Sequence, residues 1–196
     1  NYEVIKDNDI AMHTYGFTEY YIYENYNEAE ELFKRAIKLN PNNADHYTGL
    51  GYCYEAEGNY KQAIKYFNKA IKKIDSYENV PLNPQLSICY KDIGRCYIKL
   101  NDKNKAIQAL KRSSENNPYS IDTNQMLHLL YVENEEYNKA YNIWKNDNYI
   151  DVSGNCSYES ILQLNKLYNN EITNYSGHLK MANMYDSLRL YDEAAI

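Results

Sequence analysis

Apolar residues recur at spacings of three and four along most of the chain, which is the period of an amphipathic helix. One short pattern occurs twice, at 50–54 (Leu-Gly-Tyr-Cys-Tyr) and at 93–97 (Ile-Gly-Arg-Cys-Tyr). Each copy is followed, nine residues after its last Tyr, by an Ala-Ile pair at 63–64 and 106–107. The same pattern at corresponding places predicts an internal repeat built from helices.

Small residues give the period of this repeat. They stand 34, 43 and 34 residues apart at Ala29, Ala63, Ala106 and Ala140. The middle interval is therefore one period of 34 residues plus nine. A helix hairpin cannot bury its own apolar stripe, so identical hairpins stack and share a core, with Gly or Ala where helices cross closely. Asn40-Pro41 and Asn117-Pro118 are expected to end helices, because proline restricts its predecessor and donates no backbone hydrogen bond.

These residues resemble the tetratricopeptide repeat (TPR) family, whose helix pair carries an aromatic residue, Leu, Gly, Tyr, Ala, Phe, Ala and Pro in fixed order. The second repeat matches most fully, at Tyr47, Leu50, Gly51, Tyr54, Gly58, Tyr60, Ala63, Phe67 and Ala70. In the first repeat Phe17 stands where Gly or Ala is expected, and in the fourth His128 does. The resemblance implies an all-α fold, a right-handed superhelical solenoid of antiparallel helix pairs (an α-α superhelix).

The expected organisation is a row of four repeats. A lead-in at 1–9 precedes repeats at 10–43, 44–77 (followed by an insertion at 78–86), 87–120 and 121–146, then an irregular loop and helix at 147–174 and a partial fifth repeat at 175–196. The chain starts without Met and stops within a helical pattern. We therefore expect it to be part of a longer protein.

Composition and charge exclude several classes of protein. The formal net charge of −6 is unfavourable for a nucleic-acid binder, which needs clustered Lys and Arg. The sequence contains no run of 18 apolar residues, so no membrane span is predicted, and no secretory signal is recognised at its start. None of the four cysteines forms a CxxC pair, and reduced, buried thiols are expected. These features favour a cytoplasmic protein, unless a signal peptide has been removed.

No set of residues predicts catalysis, a metal site or a cofactor. The four histidines include no i,i+4 pair and no HExxH motif, and none has zinc-ligand spacing from a cysteine. We expect packed, structural histidines. The glycines at 49 and 51 lie within a helical pattern and not in a phosphate loop, which needs a preceding strand. A protein without enzymatic activity is therefore expected.

The resemblance implies that the first helix of each repeat lines a concave groove. The inward positions of the family correspond here to Thr48, Tyr52, Glu55, Lys91, Arg95, Ile98, Lys99, Gln125 and Leu129. Lys91, Arg95 and Lys99 stand at i, i+4 and i+8, so they share one face of one helix. This basic stripe predicts a seat for an acidic side chain or a C-terminal carboxylate, and an ordinary solvated face is the alternative. Replacing Lys91 and Arg95 by Glu is expected to weaken binding without unfolding the protein.

The leading hypothesis is a protein–protein interaction scaffold that holds a peptide or helix of a partner protein in this groove. One alternative is a peptide-sensing regulatory receptor whose repeats change pitch when the peptide binds. The insertion after the second repeat resembles the longer periods of such receptors. Another alternative is a structural module that self-associates through an open C-terminal repeat, because solenoids need capped ends.

Overall fold

The computed structural model describes residues 7–74 and 82–146, and the regular elements in these two stretches are all helices. They are α1 (Asp9–Tyr21), α2 (Tyr26–Leu39), α3 (Ala44–Ala56), α4 (Tyr60–Ile74), α5 (Pro84–Lys99), α6 (Lys103–Asn116), α7 (Ile121–Glu133) and α8 (Tyr137–Asn146). The predicted all-α fold of helix pairs is thus confirmed. The expectations for 147–174 and 175–196, for Cys156, and for parts of the lead-in and the insertion fall outside the described residues.

The chain divides into two compact units, Asn1–Asn117 and Pro118–Ile196. In the first unit, each helix from α1 to α5 packs on the next one along the chain, and α1 also packs on α3. In the second unit, α7 packs on α8. The first unit therefore brings together the first helices of three successive pairs, α1, α3 and α5.

Side-chain caps fix where the first helix of each described pair begins. The capping oxygens belong to Asn8, Asn43, Asn83 and Ser120, and each accepts a hydrogen bond from a backbone N–H in the first turn. Asn and Ser suit this position because their short side chains reach N–H groups that have no partner within the helix. Each cap is worth about 1 kcal/mol, so the start of each pair is specified locally.

Three of the turns inside helix pairs share one left-handed residue. Gly58, Asn101 and Glu135 have φ of 75°, 57° and 60°. In the first of these turns, the N–H of Gly58 donates to the carbonyl of Glu55 at 2.9 Å, and the next N–H donates to the carbonyl of Tyr54 at 2.8 Å. The other two turns repeat both bonds. This is the Schellman arrangement, in which glycine carries no steric cost but Asn and Glu do.

The core of the first unit depends on glycines that face large side chains. Phe33 is fully buried between Gly16 of α1 and Gly49 of α3, where an added Cβ would lie 2.9 Å and 2.6 Å from its Cζ. Gly51 meets Phe67 in the same way. The placement of Phe17 at the small position of the first repeat is wrong, because Gly16 occupies it. The turn from α1 to α2 spans four residues, 22–25, whereas the turn from α3 to α4 spans three, and this shifts the register by one.

His128 takes the small position of the fourth repeat with a fully buried imidazole. Its Nδ1 lies 3.0 Å from the carbonyl oxygen of Ala140, and its Nε2 is buried with no hydrogen-bond partner. Burial lowers the pKa of His128, because an uncharged ring is favoured in an apolar surrounding. The expectation of a packed histidine is met here at the cost of one unsatisfied nitrogen.

Candidate functional site

The first helices of three pairs line one cavity of about 320 Å³ in the first unit. Its walls are His13, Phe17 and Tyr21 from α1, Asp45, Thr48 and Tyr52 from α3, Ile74 from α4, and Gln85, Ile88 and Cys89 from α5. Helices α1, α3 and α5 are those that the family resemblance assigns to the concave groove. We call this cavity, defined by these ten residues, the groove cavity.

Aromatic and aliphatic side chains dominate the open surface of the groove cavity. The rings of Phe17 and Tyr21 lie nearly parallel, with centroids 5.6 Å apart and planes at 17°. The ring of Tyr52 lies 6.4 Å from that of Phe17. Tyr21 is 63% exposed and Ile88 is 44% exposed. Large apolar groups are thus presented to solvent within one concavity, as in binding pockets.

Two of the predicted groove residues, Thr48 and Tyr52, line this cavity. The hydroxyl of Thr48 donates to the carbonyl of Ala44 at 3.3 Å, which orients its methyl group and oxygen. The hydroxyl of Tyr52 donates to Oδ2 of Asp92 on α5 at 2.9 Å. Burial and the neighbouring carboxylate raise the pKa of Tyr52, so the hydroxyl stays protonated as a donor. The structure therefore holds Tyr52 in a fixed orientation at the edge of the cavity.

Arg95 and Glu55, also predicted groove residues, form an ion pair between α3 and α5. Nε and Nη2 of Arg95 donate to the two carboxylate oxygens of Glu55 at 2.6 and 2.7 Å. Nη2 also lies 3.2 Å from Oδ1 of Asp92. Such two-pronged guanidinium–carboxylate contacts are among the stronger polar interactions in proteins. Arg95 thus joins its repeat to the neighbouring one through Glu55, and it also contacts Asp92 on its own helix.

Asp92 is the member of this network that the sequence analysis missed. Its carboxylate is 2% exposed, and burial raises its pKa to about 6, although the charge of Arg95 and the hydrogen bond from Tyr52 oppose that shift. An acidic residue one turn before an arginine on a mostly apolar helix was the available signal. Arg95→Glu would place a third carboxylate beside Glu55 and Asp92, so we expect this variant to lower stability as well as binding.

The other predicted groove residues are not brought to the groove cavity. Lys91 and Ile98 are half-buried on α5, Lys99 is exposed near its end, and the charge of Lys91 lowers the pKa of Asp92. Gln125 and Leu129 are half-buried on α7 and belong to the second unit. A single groove that contains all nine residues stays a prediction.

A series of hydrogen-bonded polar side chains links α1 to α3 next to the groove cavity. His46 is fully buried, with Nε2 3.0 Å from Oδ2 of Asp9 and Nδ1 3.2 Å from Nδ1 of His13. Asn40 donates to the same Asp9 oxygen at 3.0 Å. The hydrogen bond from His46 lowers the pKa of Asp9, and burial lowers the pKa of His13. These hydrogen bonds fix α1 against α3, and the series ends at His13 on the wall of the groove cavity.

The described cysteines are buried, and no metal-binding cluster is found among the described residues. Cys53, Cys89 and Cys96 are buried free thiols, and burial raises the pKa of each to about 12, which keeps them unreactive. Within residues 7–74 and 82–146, no group of three or more His, Cys, Asp or Glu side chains is placed to hold a metal ion. No helix in these stretches is both long enough and apolar enough to cross a bilayer.

Comparison with known families assigns the repeats. Tetratricopeptide repeat models match residues 42–117 and 19–43, which together make up about half of the chain. The chain therefore belongs to the tetratricopeptide repeat family. Over 117 residues it is 25% identical to DnaJ homolog subfamily C member 7 of Mus musculus, and over 78 residues it is 32% identical to Superkiller protein 3 of Saccharomyces cerevisiae. These regions are 58% and 40% of the chain, but only 22% and 5% of the relatives' own lengths.

Solved structures agree on the fold. YrrB, described as a TPR protein with an unusual peptide-binding site, superposes with a TM-score of 0.66 at 17% identity, covering 99% of this chain and 93% of YrrB. MamA superposes with a TM-score of 0.61 at 18% identity, covering 91% of this chain and 96% of MamA. At these identities the likeness shows a shared fold and leaves function to the residues of the groove.

Proposed function

We propose that the chain is a protein-interaction scaffold that binds an extended peptide segment of a partner protein in the groove cavity and acts by binding alone. The observation that carries this proposal is the cavity itself, because exposed aromatic and aliphatic side chains from three successive repeats converge there. Repeats of this family typically serve as non-enzymatic interaction modules, which supports the same reading.

The chemistry of the walls suits a peptide. Aromatic residues are enriched at the energetic centres of protein interfaces, because they bury much area and lose little side-chain entropy. The volume of about 320 Å³ lies at the lower end of the range of about 300–1,000 Å³ typical of ligand sites, which suits one or two side chains of an extended segment. The peptide-binding site ascribed to YrrB, which shares the fold, adds support.

Hydrogen bonds and an ion pair between the helices also hold the walls of the groove cavity in place. Arg95 and Glu55 join α3 to α5, Tyr52 and Asp92 join the same helices, and His46 joins α1 to α3. A preformed site loses less conformational entropy on binding than a flexible one, so more of the contact free energy appears as affinity. The three lining helices are thus positioned before the partner arrives.

A pair of isoleucines with the same exposure tests the proposal. Ile88, at the groove cavity, is 44% exposed, and Ile121, at the start of α7, is 43% exposed. Peptides selected from a random display library on the wild-type chain are then measured by calorimetry on Ile88→Glu and Ile121→Glu. We expect Ile88→Glu to weaken binding at least about tenfold in high salt, because a charged group replaces apolar surface that the peptide covers. High salt is used because it screens any attraction between the new carboxylate and a basic side chain of the peptide.

The control separates a groove effect from a general one. Ile121→Glu is expected to bind the selected peptides within about twofold of the wild type. Far-UV circular dichroism of both variants checks that the helices persist. Selected peptides that bind Ile88→Glu as tightly as the wild type would remove the groove cavity from the function.

A further inference from the structure

Two of the three cations predicted to attract an acidic ligand, Lys91 and Arg95, already act on carboxylates of the protein. Arg95 contacts both Glu55 and Asp92, so one guanidinium faces two carboxylates. The charge of Lys91 also acts on Asp92. Lys99 lies further along α5 and outside the groove cavity. The positive charges of the stripe are therefore largely compensated where they approach the groove, and an acidic ligand gains little there.

The groove cavity itself carries the opposite sign. Asp45 is its only acidic wall residue, and no Lys or Arg is among the ten residues that line it. Burial lowers the pKa of His13, so this imidazole is neutral at neutral pH. Asp45 is exposed in the first turn of α3, and its carboxylate is open to a ligand in the cavity. The formal charge of the walls at neutral pH is therefore negative.

The aromatic residues add a second attraction for cations. Phe17, Tyr21 and Tyr52 line the same small cavity as Asp45, with the first two rings nearly parallel. The faces of aromatic rings carry negative electrostatic potential and attract ammonium and guanidinium groups within about 6 Å. The aliphatic stem of Lys or Arg packs on the same rings, since these side chains are apolar up to the charged group.

We infer that the groove cavity selects a positively charged side chain, Lys or Arg, of the bound segment, with the stem against Phe17, Tyr21 and Tyr52 and the charge near Asp45. This inference rests on the groove binding proposed above and names the chemistry of the occupant. It replaces the expectation of an acidic ligand that the basic stripe suggested. The occupant is a lysine- or arginine-containing stretch of a partner protein.

The test uses four acetylated and amidated heptapeptides, Gly-Ser-Leu-X-Leu-Ser-Gly, in which X is Arg, Lys, norleucine or Glu. Norleucine retains the aliphatic stem without the charge. Dissociation constants are measured on the full chain by NMR titration, which detects weak binding. We expect the Arg and Lys peptides to bind about tenfold more tightly than the norleucine peptide, and the Glu peptide most weakly.

Two variants locate the effect. Asp45→Asn keeps the shape of the side chain and the N–H that Asn43 caps, and it is expected to remove most of the preference for Arg and Lys. Asp122→Asn is the matched control, since Asp122 holds the same place in the first turn of α7 and contributes equally to the helix dipole. The preference should survive Asp122→Asn. It should also weaken as salt is raised, because the carboxylate contribution is screened.

The outcomes separate this inference from the proposed function. Equal affinities for all four peptides, with shifts at Thr48 and Ile88 amides, would overturn the selection of cations while leaving groove binding intact. Tightest binding by the Glu peptide would overturn it as well and restore the acidic ligand. Failure of the Arg and Lys peptides to bind also counts against the inference, whereas groove binding is judged separately by the library selection on Ile88→Glu.

Discussion

Replacing Gly49 by Ala tests whether the repeat packing depends on the absence of a Cβ. The new methyl carbon would lie 2.6 and 2.7 Å from Cζ and Cδ1 of Phe33, closer than real Cβ atoms approach. Phe33 is fully buried, and the backbone of Gly16 lies against its ring as well. A Cβ built on Gly16 would lie only 2.9 Å from Cζ of Phe33. The ring therefore has no space to move away from the added methyl group.

The magnitude follows from two opposing effects. Overpacking of a core costs about 1–3 kcal/mol, and here the upper half of that range applies because the ring is confined on both sides. The change from Gly to Ala in a helix interior gains about 1 kcal/mol. We expect Gly49→Ala to lower the free energy of unfolding by about 1–2 kcal/mol, measured by urea unfolding followed by circular dichroism.

A double-mutant cycle with Phe33→Leu identifies the cause. Phe33→Leu alone is destabilising because it leaves a cavity. In its presence the added methyl group of Gly49→Ala has room, so the two changes together should cost at least about 1 kcal/mol less than their sum. Additive effects, or a Gly49→Ala variant more stable than the wild type, would refute the steric explanation.

Substitutions at three other features are tested by urea unfolding. Glu135→Gly should raise the free energy of unfolding by about 1 kcal/mol, because glycine adopts the positive φ without strain; Asn101→Gly should gain less, and equal gains would contradict this reason. Arg95→Gln should cost about 2 kcal/mol by leaving a buried carboxylate without its guanidinium, whereas exposed Lys99→Gln should change stability by under about 0.5 kcal/mol. In the folded protein the pKa of His128 lies below its ordinary 6.5, so the unfolded chain binds more protons and the free energy of unfolding falls as pH drops through 6.5. His128→Gln should flatten this part of the plot of stability against pH. An unchanged plot would exclude His128 as the source of the pH dependence.

Helical period and small residues were enough to predict the pairs of helices, because both features are local. The family resemblance assigned Tyr52 and Thr48 to the groove, and both residues line the groove cavity. Contacts between helices depend on loop length as well, and a single extra residue at 22–25 was enough to move the small position from Phe17 to Gly16.

Charge pairing was the part that the sequence could not reveal. Arg95 and Glu55 stand 40 residues apart, so no helical spacing connects them. Asp92 stands one turn before Arg95, and its carboxylate is buried where α3 meets α5. A row of basic residues on one helix therefore indicated a ligand, although Arg95 already pairs with Glu55 on the neighbouring repeat and with Asp92 on its own helix.

The ion pair between α3 and α5 constrains how this array can change its number of repeats in evolution. Tyr52 and Gly49 in the second repeat correspond to Arg95 and Asp92 in the third, because in each repeat they stand one residue after and two residues before the shared glycine. A tandem duplication of the second repeat would therefore place a tyrosine opposite Glu55 and no carboxylate opposite Tyr52. Lengthening the array at this junction would therefore require compensating changes on both helices, because α3 and α5 carry matched side chains that are not interchangeable.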